Sequence, residues 1–295
     1  MSPLKTPKDN VILVPTDFSQ SADNALEHAV GIAELFDNKI VLLYVLSDNF
    51  INSIFGSKAQ NDLTKELVKT KLDEKIATFT AKHPNVVIEK LVREGKVYKN
   101  IIKAADELEC DSIVMGFNGL ARIERSMGST TSRVLKSAKV PVVIIKDQTA
   151  TTNYDRIVLP IDLTKESKQK VKWAIHLAKK YDAEVHVIME IESDAFLKKK
   201  VEANLAQVVK LLSKEGIKVV HKILDDKAYP DNFGGDIVKY SQEVDANLIL
   251  IMTQKETEFK DFFVGSFAVR VINGTKQVPI MAINPVETSA GYYFD

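Results

Sequence analysis

The chain has 295 residues, 45% of them hydrophobic, which is enough apolar material for a core in each of two ordinary domains. Its 40 Lys+Arg balance 40 Asp+Glu, and residues 1–150 hold 20 basic against 19 acidic side chains, so neither half has the positive surplus that DNA or RNA would require. A single cysteine, Cys110, excludes an intrachain disulfide and a cysteine metal cluster and suits a reducing cytosol, and no run of about 18 apolar residues marks a membrane span. With a polar, proline-containing opening over Met1–Asn10 that lacks the apolar core of a signal peptide, the expectation is a soluble cytoplasmic protein with neither nucleic acid nor membrane as partner.

In chain order, short β-branched runs alternate with longer segments of helical period, the pattern of βαβ units and a parallel sheet. Strands are expected over 10–16, 39–46, 85–92, 111–116 and 141–146, with helices between them. Ser19 precedes Ala22, Ala25, Leu26, Ala29, Ile32, Ala33 and Phe36, whose spacing gives one apolar helix stripe to lay on a sheet. The polar stretch Gln148–Asn153 reads as a short linker, placing domains at 1–149 and 150–295.

The second half repeats the first. Asn10-Val-Ile-Leu-Val-Pro-Thr-Asp17 returns as Asp155-Arg-Ile-Val-Leu-Pro-Ile-Asp162, with Asp162 lying 145 positions after Asp17. The same offset pairs Ala29 with Ala174, Phe36 with Tyr181 and Val45 with Glu190. Farther on, Asp111–Gly116 answers Asn247–Met252, Met127-Gly128-Ser129 answers Val264-Gly265-Ser266, and Val140-Pro141-Val142 answers Val278-Pro279-Ile280, at offsets of 136 to 138. The fold expected is α/β: two tandem, open, five-stranded parallel sheets flanked by helices, Rossmann-like in character.

Ligands of such sheets sit beyond the carboxyl ends of the strands. Thr16 and Asp17 follow the first strand, Val45 ends the second, and Gly116-Phe-Asn-Gly119 leads toward Gly128-Ser129-Thr130 after the fourth. Gly116 and Gly119 allow close backbone approach, and Gly128-Ser129-Thr130 opens a helix whose free N–H groups suit a phosphate. An acid at position 17 can accept hydrogen bonds from ribose or adenine, and the backbone near Val45 can read the adenine edge. Each element also has a plainer reading: an Asp after a strand commonly caps a turn, and loop glycines commonly serve turns.

Val-Pro-Thr-Asp17-Phe-Ser, Glu94-Gly95 ahead of a helix, Asp-Ser-Ile-Val-Met-Gly116, the glycine loop into Gly128-Ser129, and Val140-Pro141-Val142 together resemble the universal stress protein family over nearly the whole chain. The resemblance implies an adenine-nucleotide α-hydrolase-like sheet, pairing of domains through the last strand within the chain and in a homodimer, and ATP as cofactor, while the phosphate cradle and the nearby acid Asp17 would admit Mg2+ with it. Carried over by position, Asp17 would contact ribose or adenine, Val45 the adenine, Gly116 and Gly119 the ribose-phosphate, and Gly128, Ser129 and Thr130 the phosphates. Eight residues separate Gly119 from Gly128, one fewer than the family's usual spacing. In the second copy Met252-Thr-Gln-Lys-Glu-Thr-Glu-Phe replaces the glycine loop, so that site is expected not to take ATP.

No Gly-x-Ser-x-Gly elbow is present, and the histidines lack metal-binding spacing, so neither a catalytic triad nor a metal site is expected. Lys198-Lys-Lys200 continues a helix over Val201, Leu205, Val208 and Leu212 and reads as its solvated face. Connections 47–62 and 117–127, the latter with Arg122 and Arg125, are placed to fold over a nucleotide. The function expected is an ATP-binding stress-response regulator with slow hydrolysis at most, since no group to activate water is evident. A nucleotide-free interaction scaffold and a weak ATPase are the alternatives.

Overall fold

A computed structural model describes residues 10–47, 58–117, 130–146, 153–164, 169–190, 194–224, 233–253 and 266–285. The chain divides into two compact units, Met1–Thr152 and Asn153–Asp295. In the first, the order is β1 (Val11–Thr16), α1 (Gln20–Phe36), β2 (Lys39–Leu46), α2 (Lys58–Lys82), β3 (Ile88–Glu94), α3 (Val97–Glu107), β4 (Ser112–Gly116), α4 (Thr130–Ser137) and β5 (Val142–Ile145). All pairings within it are parallel, in the order β3-β2-β1-β4-β5.

The second unit repeats this with β6 (Arg156–Pro160), α5 (Gln169–Tyr181), β7 (Glu184–Glu190), α6 (Ala195–Lys214), β8 (Lys218–Leu224), α7 (Phe233–Glu243), β9 (Leu248–Met252), α8 (Ser266–Gly274) and β10 (Ile280–Ile283). Its strands run parallel in the order β8-β7-β6-β9-β10. Two tandem five-stranded α/β units are therefore what the alternating pattern foretold.

The central strands are covered on both faces, which explains their unbroken apolar runs. Val11–Val14 of β1 and Ile157–Leu159 of β6 are buried throughout. Right-handed crossovers put α1 and α2 on one face of the first sheet and α3 and α4 on the other. Lys75 of α2 reaches Asp23 of α1 at 2.5 Å, tying the first pair together.

The α1 stripe buries Ala22, Ala25, Leu26, Ala29 and Ala33. Small side chains let the helix axis approach the sheet closely. Ser19 caps the helix, its Oγ accepting from Ala22 N at 3.3 Å, and Asp37 ends it in a left-handed conformation at φ 56°. The third strand starts at Ile88 rather than residue 85 because a turn over Pro84 and Asn85 delays pairing until Val87 O accepts from Ile40 N. Within the connection 47–62, residues from Lys58 onward belong to α2, which shortens that link from the sequence expectation.

Cys110 packs just ahead of β4 at 4% exposure, and burial pushes its thiol up to about 12. Among the described residues no helix is long and apolar enough to cross a membrane.

Candidate functional site

Strands β1, β2 and β4 are neighbours, so their carboxyl ends bring Thr16, Val45 and Gly116 to one edge of the first sheet. Thr16 stands opposite Tyr44 in the β1–β2 register, one residue before Val45. Thr130 opens α4 at the same edge, following β4 in the chain. Gly119, Gly128 and Ser129 lie outside the described residues.

The turn after β1 is fixed by its own polar groups. Phe18 N donates to Thr16 Oγ1 at 3.1 Å and Ser19 N to Asp17 Oδ1 at 2.9 Å, after which Ser19 caps α1. These bonds hold Phe18 at φ 63°, a left-handed conformation that disfavours an aromatic residue by about 1–2 kcal/mol. Asp17 thus performs the turn role that its position commonly has, while its side chain stays exposed at the sheet edge. The two roles are compatible, since one carboxylate oxygen suffices for the turn.

The constrained turn presents an aromatic platform that sequence reasoning passed over. Phe18 stacks on Tyr44 with ring centroids 5.0 Å apart and an interplanar angle of 27°. Lys71 of α2 places Nζ 5.8 Å from the Phe18 centroid. Burial, and then the Asp17 charge, raise the Tyr44 hydroxyl above its ordinary value, keeping it a neutral donor at physiological pH. The available signal was the Phe directly after Asp17, which an outward-pointing turn would otherwise leave to water.

Gly116 has a steric reason to be glycine. A Cβ there would lie 2.2 Å from Ser21 O and 2.7 Å from Ala22 N, backbone atoms of the first turn of α1. The end of β4 therefore abuts the capped start of α1, locking together the two segments that carry Asp17 and the glycine loop. Beyond it, Phe117 N donates to Ile145 O, and Lys146, following β5, sets Nζ 6.0 Å from the Phe117 centroid. Desolvation lowers the Lys146 ammonium to about 8.

The equivalent edge of the second unit differs at almost every position. Asp162 repeats the turn, its Oδ1 accepting from Thr164 N at 2.8 Å and from the Thr164 hydroxyl. Glu190 stands where the first unit has Val45, and Met252 where it has Gly116. Between them opens a cavity of about 300 Å3, reached also by Lys170, Phe233, Phe267 and Arg270. Lys170 is 3% exposed and donates to the Pro160 carbonyl. Burial brings its ammonium down to about 8, opposed by the attraction of Asp162.

Three of the five histidines are held by packing or by polar partners. His28 is buried in α1, and His83 pairs with Glu34 at 2.8 Å in the turn before β3. His186 shares hydrogen bonds with Tyr240 and Glu184 inside the second unit, while His221 on the adjacent strand is offset by one residue and so projects to the other face. Among the described residues no group of three or more His, Cys, Asp or Glu is placed to hold a metal.

An open parallel sheet with a turn acid, a close-packed glycine and a helix start at one edge is of the Rossmann-like α/β class, whose ligands sit beyond the carboxyl ends of the strands. Residues 10–146 and 153–283 each match the universal stress protein family, and the chain belongs to that family as a tandem member. A universal stress protein of Methanocaldococcus jannaschii is 32% identical over 140 residues, covering 46% of this chain and 81% of its own length. A second from the same organism is 28% identical over 151 residues, covering 46% and 93%. The crystal structure of a universal stress protein from Archaeoglobus fulgidus superposes with a TM-score of 0.74 at 21% identity, covering 94% of this chain and 96% of that one.

Proposed function

We propose that the first unit binds an adenine nucleotide of the ATP class and that the chain is a stress-response regulator in which occupancy, with little or no turnover, is the signal. The observation that carries this is the convergence of Thr16, Asp17, Val45, Gly116 and Thr130 on one strand edge, beside the start of α4. Gly119, Gly128 and Ser129 complete the phosphate cradle in this proposal. The donor set fits the ligand: Asp17 is exposed to ribose hydroxyls, and the first N–H groups of α4 suit phosphate oxygens. Mg2+ would arrive with the phosphates, and no residue is assigned to activate water.

A nucleotide-free scaffold is favoured by one observation, that Gly116 is already explained by the approach of Ser21 and needs no ligand to justify it. Mass spectrometry of small molecules released on denaturing freshly purified protein separates the two. Near one ATP per chain, absent from Gly128→Val, is the expected result. An empty wild type that also fails to take up added ATP would leave the scaffold.

A further inference from the structure

The second unit lacks the glycine loop yet brings a buried lysine and an arginine to its strand edge. Lys170 occupies the α5 position that matches Ala25 of α1 in the repeat, on the stripe facing the sheet. An alanine fills that place in the first unit at no electrostatic cost. A lysine buried there gives up its hydration, and among the described residues the Pro160 carbonyl is the one acceptor for its three N–H donors. Asp162 attracts it through space while its Oδ1 is taken by Thr164.

Arg270 is the second cation. Its counterpart in the repeat, Arg133 of α4, lies against the Tyr98 ring of α3, with the guanidinium carbon 4.9 Å from the centroid. In the second unit Gly234 replaces that tyrosine, and a Cβ at Gly234 would come within 2.9 Å of Arg270 Cβ. With no side chain at Gly234, α8 packs closely on α7 there, and Arg270 lines the cavity wall. Two independent exchanges, Ala25 to Lys170 and Tyr98 to Gly234, therefore deliver cations to one cleft.

Carboxylates answer them. Asp162 and Glu190 line the same cavity, so among the described residues its two positive and two negative groups balance. A nucleoside triphosphate would bring about four negative charges into a cleft whose described lining has no positive surplus, and 300 Å3 is at the small end of ligand pockets. A zwitterion leaves the balance undisturbed. The remaining wall is apolar, with Met252 and the Phe233–Phe267 pair, whose rings stack at 5.7 Å.

We propose that this cleft binds a free amino acid with an apolar or aromatic side chain, its carboxylate on Lys170 and Arg270, its ammonium at Glu190 and its side chain against Phe233, Phe267 and Met252. The site is separate from the nucleotide site of the first unit and does not depend on it. Lysine is present as the ammonium at neutral pH, so the carboxylate accepts N–H bonds for which the described residues offer no further acceptor.

The test is isothermal titration of the full chain with L-phenylalanine and L-leucine in the presence of saturating ATP. Phenethylamine, hydrocinnamate, isoamylamine and isocaproate serve as controls lacking one charge each. One amino acid per chain should bind with a dissociation constant below about 1 mM, at least about tenfold tighter than either control of its kind. Lys170→Met should weaken it at least about tenfold and leave ATP uptake unchanged. Should Lys170→Met fail to fold, Glu190→Gln at the exposed end of β7 serves instead, and is expected to abolish the preference for the amino acid over its carboxylic-acid control. The proposal is overturned if neither amino acid binds at about 10 mM, if the single-charge controls bind as well, if the variant binds like wild type, or if ATP competes for the cleft.

Discussion

The two units share one topology and treat their strand edges in opposite ways. In the first, small residues and backbone meet: Gly116 against Ser21, Ala25 against the sheet, Arg133 drawn off to Tyr98. In the second, bulk and charge replace them: Met252, Lys170, and Arg270 beside Gly234. The lesson is that a duplicated fold keeps its apolar interior under tight packing constraints, while a few positions just under the strand ends can be exchanged to change what the edge recognises. Neither unit alone would reveal which buried positions are free to change.

The contrast is broken most severely at Gly116. Gly116→Ala should destabilise the first unit by about 3 kcal/mol, since the added methyl meets backbone that cannot rotate away. Guanidinium denaturation would show it, and an unchanged midpoint would mean that the first turn of α1 yields freely.

At Lys170 the sign reverses. Lys170→Met should stabilise the second unit by roughly 3 kcal/mol at pH 7, the free energy of holding a lysine at about 8 instead of 10.5. Between those values the unfolded chain binds more protons than the folded one, so wild-type stability should rise with pH through the window from about 8 to 10.5. The variant should lack that rise, and denaturation curves across the range would separate them. Parallel pH profiles for both proteins would sink the assignment.

Smaller effects probe the first unit. Ser19→Ala removes the cap of α1 and should cost about 1 kcal/mol, visible as a lowered urea midpoint. Tyr98→Leu keeps an apolar side chain but removes the π face beneath Arg133, and should cost about 0.5 kcal/mol in the same measurement.

Much of this was legible in the residues. The apolar runs ending at Asp17 and Asp162 located the first strand of each copy, and the Ala-rich stripe after Ser19 located α1, because parallel strands and sheet-facing helices leave strong periodicities. The β3 start was less legible: it is an edge strand with Glu89 and Lys90 exposed, so its alternation is weak and the Pro84 turn blurs its beginning. Lys170 was missed because it sits among Gln169 and Lys172, where a lysine reads as solvated surface. Only the register with Ala25 shows that it points inward. The Phe18–Tyr44 stack was invisible for another reason, since it depends on a left-handed turn whose direction no periodicity encodes.

The burial of Cys110 has a practical consequence. The chain's one thiol lies in the first unit and is held protonated, so a thiolate-seeking reagent reaches it when that unit opens. The chain's one indole, Trp173, lies half-covered on α5 of the second unit. Labelling and fluorescence therefore each belong to a different half, and the opening of the two copies can be timed separately in a single unmodified sample.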